Sequence, residues 1–270
     1  DSLVALDADT GKVRWYYQFT PHDEFDYDAV QVPVLADIEW RGKPRRVILW
    51  ANRNGFFYVL DRTTGQFLLG KPFVEVTWAS GFDGQGRPIL VPGKTPSSEG
   101  TLIYPGNPGA TSWYSPSYSP RTGLYYIPAW VNSSSIFVKA PAEYRAGRNY
   151  AGGAARSVIP FNWSPAPNFR KEDEGYGAVR AVDPQNGEKR WDFKMADMTE
   201  AGILTTASNL LFSGGREGYF YALDARNGVL LWKAALGAAV ISSPMTYSVA
   251  SRQYVAVNAG NCLFTFALRQ

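Results

Sequence analysis

The sequence predicts an all-β protein, a β-propeller of four-stranded antiparallel blades. Three observations carry this: a recurring strand-turn-strand unit, a composition suited to short strands, and unfinished blades at both ends. The unit runs Leu3-Val4-Ala5-Leu6-Asp7 through Thr10-Gly11 to Trp15, and Val179-Arg180-Ala181-Val182-Asp183 through Asn186-Gly187 to Trp191. It recurs as Phe220-Tyr221-Ala222-Leu223-Asp224 through Asn227-Gly228 to Trp232. In all three, Gly follows Asp by four residues and Trp follows Gly by four. A fourth copy, Phe57-Tyr58-Val59-Leu60-Asp61 through Thr64-Gly65, keeps the turn but has Leu69 where Trp is expected.

Each residue type has a mechanical reason. Apolar alternation before Asp makes a strand, the Asp carboxylate accepts from turn amides, and Gly supplies the positive φ that closes the turn. The next strand brings Trp to a buried face. One hairpin cannot cover its own apolar side, whereas radial stacking covers every copy and makes each Trp an inter-blade packing residue. A structural role is therefore assigned to Trp15, Trp191 and Trp232.

Taken along the chain, Asp183 and Asp224 are 41 residues apart, one blade with short loops. Its strands read as Ile203 to Ala207, Leu210 to Ser213, Gly218 to Leu223 and Leu230 to Ala234. Asp7 and Asp61 are 54 apart, and Asp61 and Asp183 are 122 apart, room for two blade steps or for one blade with a large insertion. Within that span Tyr118 to Ile127 is a hairpin, while the Ser-, Pro-, Gly- and Asn-rich stretch of about 133–171 reads as a long inserted loop in a single 1–270 domain. The chain opens on a hairpin without preceding strands. It closes on three strands, Ile241 to Tyr247, Tyr254 to Val257 and Leu263 to Leu268, without a Trp-bearing fourth. About four blades are predicted, so further blades or a second copy are expected to close the ring.

Composition narrows the function. The chain has 270 residues, 45% of them hydrophobic, enough to bury a core and too apolar for a disordered chain. Net charge is +3 and no basic run exceeds Arg45-Arg46, which argues against a nucleic-acid surface. No apolar run reaches the ~18–20 residues of a membrane helix. One cysteine, Cys262, rules out an internal disulfide and a cysteine-based zinc site, and is read as a buried small hydrophobe. One histidine, His22, leaves little material for catalytic triads or histidine-rich metal sites. Nine Trp, 26 Gly and 18 Pro suit many short strands joined by tight turns.

The segments around the repeat are more specific than the repeat. Ala5 to Trp15 followed by Tyr17-Gln18-Phe19-Thr20-Pro21-His22-Asp23-Glu24-Phe25-Asp26-Tyr27-Asp28, then Ala51-Asn52-Arg53-Asn54-Gly55-Phe56 to Arg62, resembles the quinoprotein alcohol dehydrogenases that use pyrroloquinoline quinone. The likeness continues through Thr77-Trp78-Ala79, Gly202 to Ala207 and Gln253 to Val257, and so covers almost the whole chain. It implies half of an eight-bladed propeller with the quinone and a calcium ion on its axis, in a periplasmic enzyme. Alcohol substrates, and a cytochrome c as electron acceptor, belong to the same implication. In that family the calcium ligands, the catalytic Asp and the Trp under the cofactor lie in the amino-terminal half. The resemblance puts them upstream of this chain, so no catalytic or metal role falls on Asp1 or Asp7, and the 270 residues alone are not expected to turn over.

Three positions carry a cofactor expectation. Arg53 matches the family's basic residue at the quinone oxygens, where a guanidinium stabilises charge developing on the reduced quinone. Ser112-Trp113 stands where the family has an Asn-Trp pair, with a shorter hydrogen-bonding side chain. Glu200-Ala201-Gly202 stands where many members place a Trp before small residues, so a carboxylate either alters the cofactor roof or points elsewhere. The acidic run Asp23, Glu24, Asp26, Asp28 lacks the glycine and terminal Glu of an EF-hand loop and is read as a structural loop with His22 as hydrogen-bonding partner. The alternative function, motivated by Ser112 and Glu200, is a propeller that keeps the fold and serves as a non-catalytic scaffold or binding module.

Overall fold

The computed structural model describes residues 1–148, 150–157 and 175–268, and every regular element among them is a strand. Strands β1 (Ser2–Leu6) and β2 (Val13–Gln18) form an antiparallel hairpin. Next, β3 (Val34–Trp40), β4 (Lys43–Ala51), β5 (Phe56–Asp61) and β6 (Phe67–Pro72) meander into a four-stranded blade. Two small sheets interrupt the pattern: β7 (Ala79–Phe82) with β8 (Pro88–Leu90), and β9 (Thr101–Ile103), which pairs with a later strand.

The following blade begins with β10 (Ser117–Ser119) and β11 (Leu124–Val131), and is broken by β12 (Ser135–Lys139) and β13 (Gly153–Ser157), which join β9. It resumes with β14 (Tyr176–Val182) and β15 (Lys189–Lys194) beside β11. The wide spacing between Asp61 and Asp183 is thus one blade with insertions. The stretch read as an inserted loop carries β12 and β13, and its residues 158–171 lie outside the described part. A third blade comprises β16 (Leu204–Thr205), β17 (Leu210–Gly214), β18 (Tyr219–Asp224) and β19 (Leu230–Ala235). Strands β20 (Met245–Val249), β21 (Arg252–Ala259) and β22 (Cys262–Phe266) form the last, three-stranded sheet.

All four Asp-to-Gly turns are built alike. The register slips by a bulge just before each Asp, at Ala5/Leu6, Val59/Leu60, Ala181/Val182 and Ala222/Leu223. The Gly amide then donates to the Asp carbonyl at 2.7–2.9 Å, with Gly φ between 67° and 74°. The Asp carboxylate accepts a turn amide two or three residues on.

Three of the four turn glycines, Gly65, Gly187 and Gly228, are also the floor on which the previous blade rests. A Cβ on Gly65 would lie 2.6 Å from the Trp15 ring, and one on Gly228 would lie 2.5 Å from Trp191. In the copy without Trp, Lys71 and Leu69 cover Gly187 instead, at 2.5 and 3.5 Å. Trp232 reaches the ring of Phe266 in the last sheet, 5.1 Å away. A testable consequence separates backbone from packing. Gly65→Ala and Gly11→Ala both impose a left-handed φ on Ala, costing ~1–2 kcal/mol, but only the first meets an indole, since nothing lies within 4 Å of a Cβ on Gly11. Chemical denaturation is expected to show Gly65→Ala the more destabilising by ~1–3 kcal/mol, the range for overpacking. Equal losses would mean that Trp15 does not bear on the turn.

The middle strands are buried on both faces. On β5, Phe57 and Val59 face the core shared with Tyr125, Ile127 and Ala129 of β11, whereas Phe56, Tyr58 and Leu60 face Tyr17, Phe19, Trp50 and Trp78. At the two ends the sheets are covered on one side only. Leu6, Val13 and Tyr16 of the first hairpin, and Met245, Val249 and Leu263 of the last sheet, are 57–71% exposed. Cys262, read from the sequence as buried, is exposed for this reason: it opens β22 on the uncovered sheet.

Candidate functional site at one rim of the propeller

In a four-stranded meander the segment entering the first strand and the turn joining the second to the third lie at the same rim, while the Asp-Gly turns lie at the other. That rule collects the candidate residues. Residues 20–28 enter β3, residues 104–114 lie ahead of β10, and Glu200 precedes β16; Arg53 and Arg216 occupy the second-to-third turns of their blades.

The Asn-Arg-Asn-Gly turn uses its two asparagines for construction. Asn52 and Asn54 are fully buried, each Oδ1 accepting the amide two residues on, from Asn54 at 3.0 Å and Phe56 at 3.1 Å. Asn54 Nδ2 donates to Tyr58 Oη at 2.8 Å, and buried Trp78 donates its indole N–H to the Asn54 carbonyl at 2.9 Å. Arg53 is left to project. Its stem lies where a side chain on Gly109 would collide, 2.8 Å from that position, and its carbonyl accepts the Ala110 amide at 2.9 Å.

The Arg53 guanidinium donates to the Asn107 carbonyl at 2.7 Å and pairs with Asp28 at 3.2 Å and Asp26 at 3.7 Å. Its Nε–H is shielded from solvent and has no hydrogen-bond partner among the described residues. The acidic segment is thus a brace for Arg53. Asp23 closes the loop itself, accepting from the amides of Phe25 at 2.8 Å and Tyr27 at 2.6 Å, with burial and then the charges of Asp26 and Asp28 holding its pKa above the ordinary carboxylate value. His22, expected to hydrogen-bond here, makes no side-chain bond among the described residues; it contributes a left-handed backbone turn, φ 49°.

Ser112 is half-buried and Trp113 is 59% exposed. The Trp113 ring lies 4.8 Å from that of Tyr114, which in turn lies 5.8 Å from Trp130. Glu200 is engaged within the chain: its Oε1 accepts the Tyr114 hydroxyl at 3.1 Å, and its Oε2 is 3.7 Å from Arg216 Nε, both side chains being 9% exposed. Burial and then the Glu200 charge raise the Tyr114 phenol far above its ordinary pKa, so it stays a donor. Sequence reading missed Tyr114, Arg216, Asn107 and the Asp26–Asp28 brace. One signal was available: Gly215-Arg216-Glu217-Gly218 fills the turn equivalent to Asn52-Arg53-Asn54-Gly55.

Comparison with known proteins now separates one propeller from another. A family model described as the β-propeller domain of glucose/ethanol/alcohol dehydrogenase matches residues 1–79. A model described as outer membrane protein assembly factor BamB matches residues 175–266, where the Trp repeat is densest. Over 262 residues the chain is 41% identical to the quinohemoprotein alcohol dehydrogenase of Comamonas testosteroni, covering 96% of this chain and 36% of that protein. Across almost all of its length the chain is similar to quinoprotein alcohol dehydrogenases. It is also 40% identical over 261 residues to 1-butanol dehydrogenase (cytochrome c) of Thauera butanivorans, covering 96% of this chain and 37% of that protein. Among solved structures, a europium-containing methanol dehydrogenase superposes with a TM-score of 0.83 at 34% identity, over 95% of this chain and 44% of that one. The chain therefore spans a little over a third of the length of these two curated relatives.

Proposed function

We propose that this chain is part of a periplasmic dehydrogenase that oxidises a small alcohol with pyrroloquinoline quinone, and that it supplies propeller scaffold and one side of the cofactor pocket. The observation that carries this is Arg53: a guanidinium on a fully buried turn, braced by two carboxylates, with one donor unspent. The donor set suits the quinone. Arg53 offers fixed positive charge to its oxygens, Ser112 a hydroxyl, and Trp113 an exposed indole for a planar ring. Glu200, turned toward Arg216 and Tyr114, does not face a quinone carboxylate with a bare negative charge.

The quinone, when bound, supplies the two-electron acceptor chemistry, and the protein supplies binding and electrostatics. Arg53 stabilises negative charge on the acceptor oxygens through a cation that needs no reorganisation, because Asn107, Asp26 and Asp28 already hold it. Trp113 would shield a bound planar ring from water. Among the described residues no group of three or more His, Cys, Asp or Glu side chains could hold a metal ion. In this reading, calcium or a lanthanide takes its ligands, and the alcohol its base, from the remainder of the enzyme. The uncovered end sheets favour ring closure by further blades of the same protein, with a second copy as the other arrangement. A cytochrome c is the electron acceptor in this reading, supported by the name of the Thauera relative.

Alcohol oxidation coupled to an artificial dye tests the reading. Activity that requires both pyrroloquinoline quinone and either calcium or a lanthanide is expected in the full-length protein and not in the 270-residue form. Full-length protein inert with the quinone and each metal in turn, or activity confined to the short form, would overturn it in favour of a non-catalytic propeller.

A further inference from the structure

Four side chains form a continuous line inward from the rim: Trp113, Tyr114, Glu200 and Arg216. Trp113 is the exposed end, its ring tilted 46° on Tyr114 at 4.8 Å. Tyr114 is 6% exposed and held at three points, by Trp113, by Trp130 and by the 3.1 Å hydroxyl bond to Glu200. Glu200 is 7% exposed and faces the guanidinium of Arg216. Trp130 is fixed in its turn, its indole N–H donating to the carbonyl of Thr199, the residue before Glu200. A carboxylate at this depth needs a counter-charge and hydrogen bonds, and Arg216 and Tyr114 supply them. The line also stands next to Arg53, whose stem packs at Gly109, and the charges of both arginines are felt at the Tyr114 hydroxyl.

We infer that Glu200 is a positioning residue for a stacking platform: clamped by Arg216, it fixes Tyr114, and Tyr114 fixes the exposed indole of Trp113 for a planar, anionic ring held beside Arg53. The inference rests on the proposed function for the identity of that ring, but not for the relay. An exposed Trp would otherwise sample several rotamers and give up that freedom on binding. A ring already supported from below loses less, so the effect of the buried pair is read at the surface, two residues away.

The test uses the intact protein labelled with 5-fluorotryptophan, the Trp113 fluorine resonance being assigned by its loss in Trp113→Phe. Tyr114→Phe removes the hydroxyl, keeps the ring and leaves Glu200 with Arg216, so it strands no buried charge and decides the matter even if Glu200→Gln does not fold. In Tyr114→Phe the Trp113 resonance is expected to shift or broaden, while those of Trp78 and Trp191 stay in place. Binding of pyrroloquinoline quinone, followed by tryptophan quenching, is expected to weaken about tenfold, the share of one buried hydrogen bond to a charged acceptor. Adding Glu200→Gln to Tyr114→Phe is expected to weaken binding no further, because Glu200 acts through the lost hydroxyl. An unmoved Trp113 resonance, or losses that add in the double variant, would overturn the relay. If wild-type protein binds no quinone, the proposed function fails, and the Trp113 resonance of the free protein still decides the relay in either direction.

Discussion

Replacing Arg53 by Gln in the full-length enzyme is expected to lower kcat/KM for alcohol by ~10²–10³, the loss seen when one preorganised charge-stabilising donor is removed from a polar site. Gln keeps a donor but loses the charge and the reach to Asp26 and Asp28. Lys keeps the charge, yet a single ammonium cannot meet Asn107, Asp26 and Asp28 with a planar fork, so Arg53→Lys should recover only part of the rate. The fold should notice little. Asp26 and Asp28 are 62% and 54% exposed, and ion pairs of that kind contribute up to about 1 kcal/mol. Steady-state kinetics with dye, alongside a thermal melt, separate the two effects. A variant within twofold of wild type in kcat/KM would remove Arg53 from the pocket.

What could be read from the sequence depended on the range over which each feature acts. The Asp-to-Trp unit is local: bulge, turn and following strand lie within a dozen residues, so its spacing specified four hairpins and most blade strands. Where packing partners are distant, the reading loosened. The 122-residue gap admitted two blade steps because β11 and β14 are separated by an insertion of their own, and nothing in the sequence says that Tyr125 pairs with Val182. Cys262 was misplaced since burial depends on whether a neighbouring blade covers β22. At the site, Arg53 was legible through its motif, but its partners come from residues 26–28 and 107, and the Tyr114–Glu200 contact joins residues 86 apart. Blade geometry is what brings such pairs together. Once strands one to four are assigned, every segment entering a first strand and every second-to-third turn belongs on the rim of Arg53, and that step recovers Glu200, the acidic run and Arg216 together.

Asp192→Ala is expected to destabilise the protein by ~3–5 kcal/mol, the range for stranding one partner of a buried ion pair. Arg180 stands on β14 with its side chain 8% exposed, and both oxygens of Asp192 on β15 meet it, at 2.7 and 2.6 Å. Its remaining nitrogen donates to the carbonyl of Phe73, just beyond β6 of the preceding blade. The guanidinium therefore joins two blades while being neutralised within one. Without Asp192 it would retain that carbonyl, with the exposed Lys189 ammonium left without its carboxylate close by. A second ion pair crosses the same two blades and provides the control: Lys71 and Glu188 approach to 2.9 Å but are 43% and 59% exposed. Glu188→Ala should cost no more than ~1 kcal/mol, although the distance is nearly the same. Replacing Arg180 and Asp192 together with Met and Leu should restore most of the loss, because it removes the stranded charge and not the contact area. Denaturation midpoints of the three variants measure this. If Asp192→Ala and Glu188→Ala prove equally mild, the buried Arg180 pair contributes nothing to blade cohesion, which then rests on the apolar faces, the turn glycines and the remaining inter-blade hydrogen bonds.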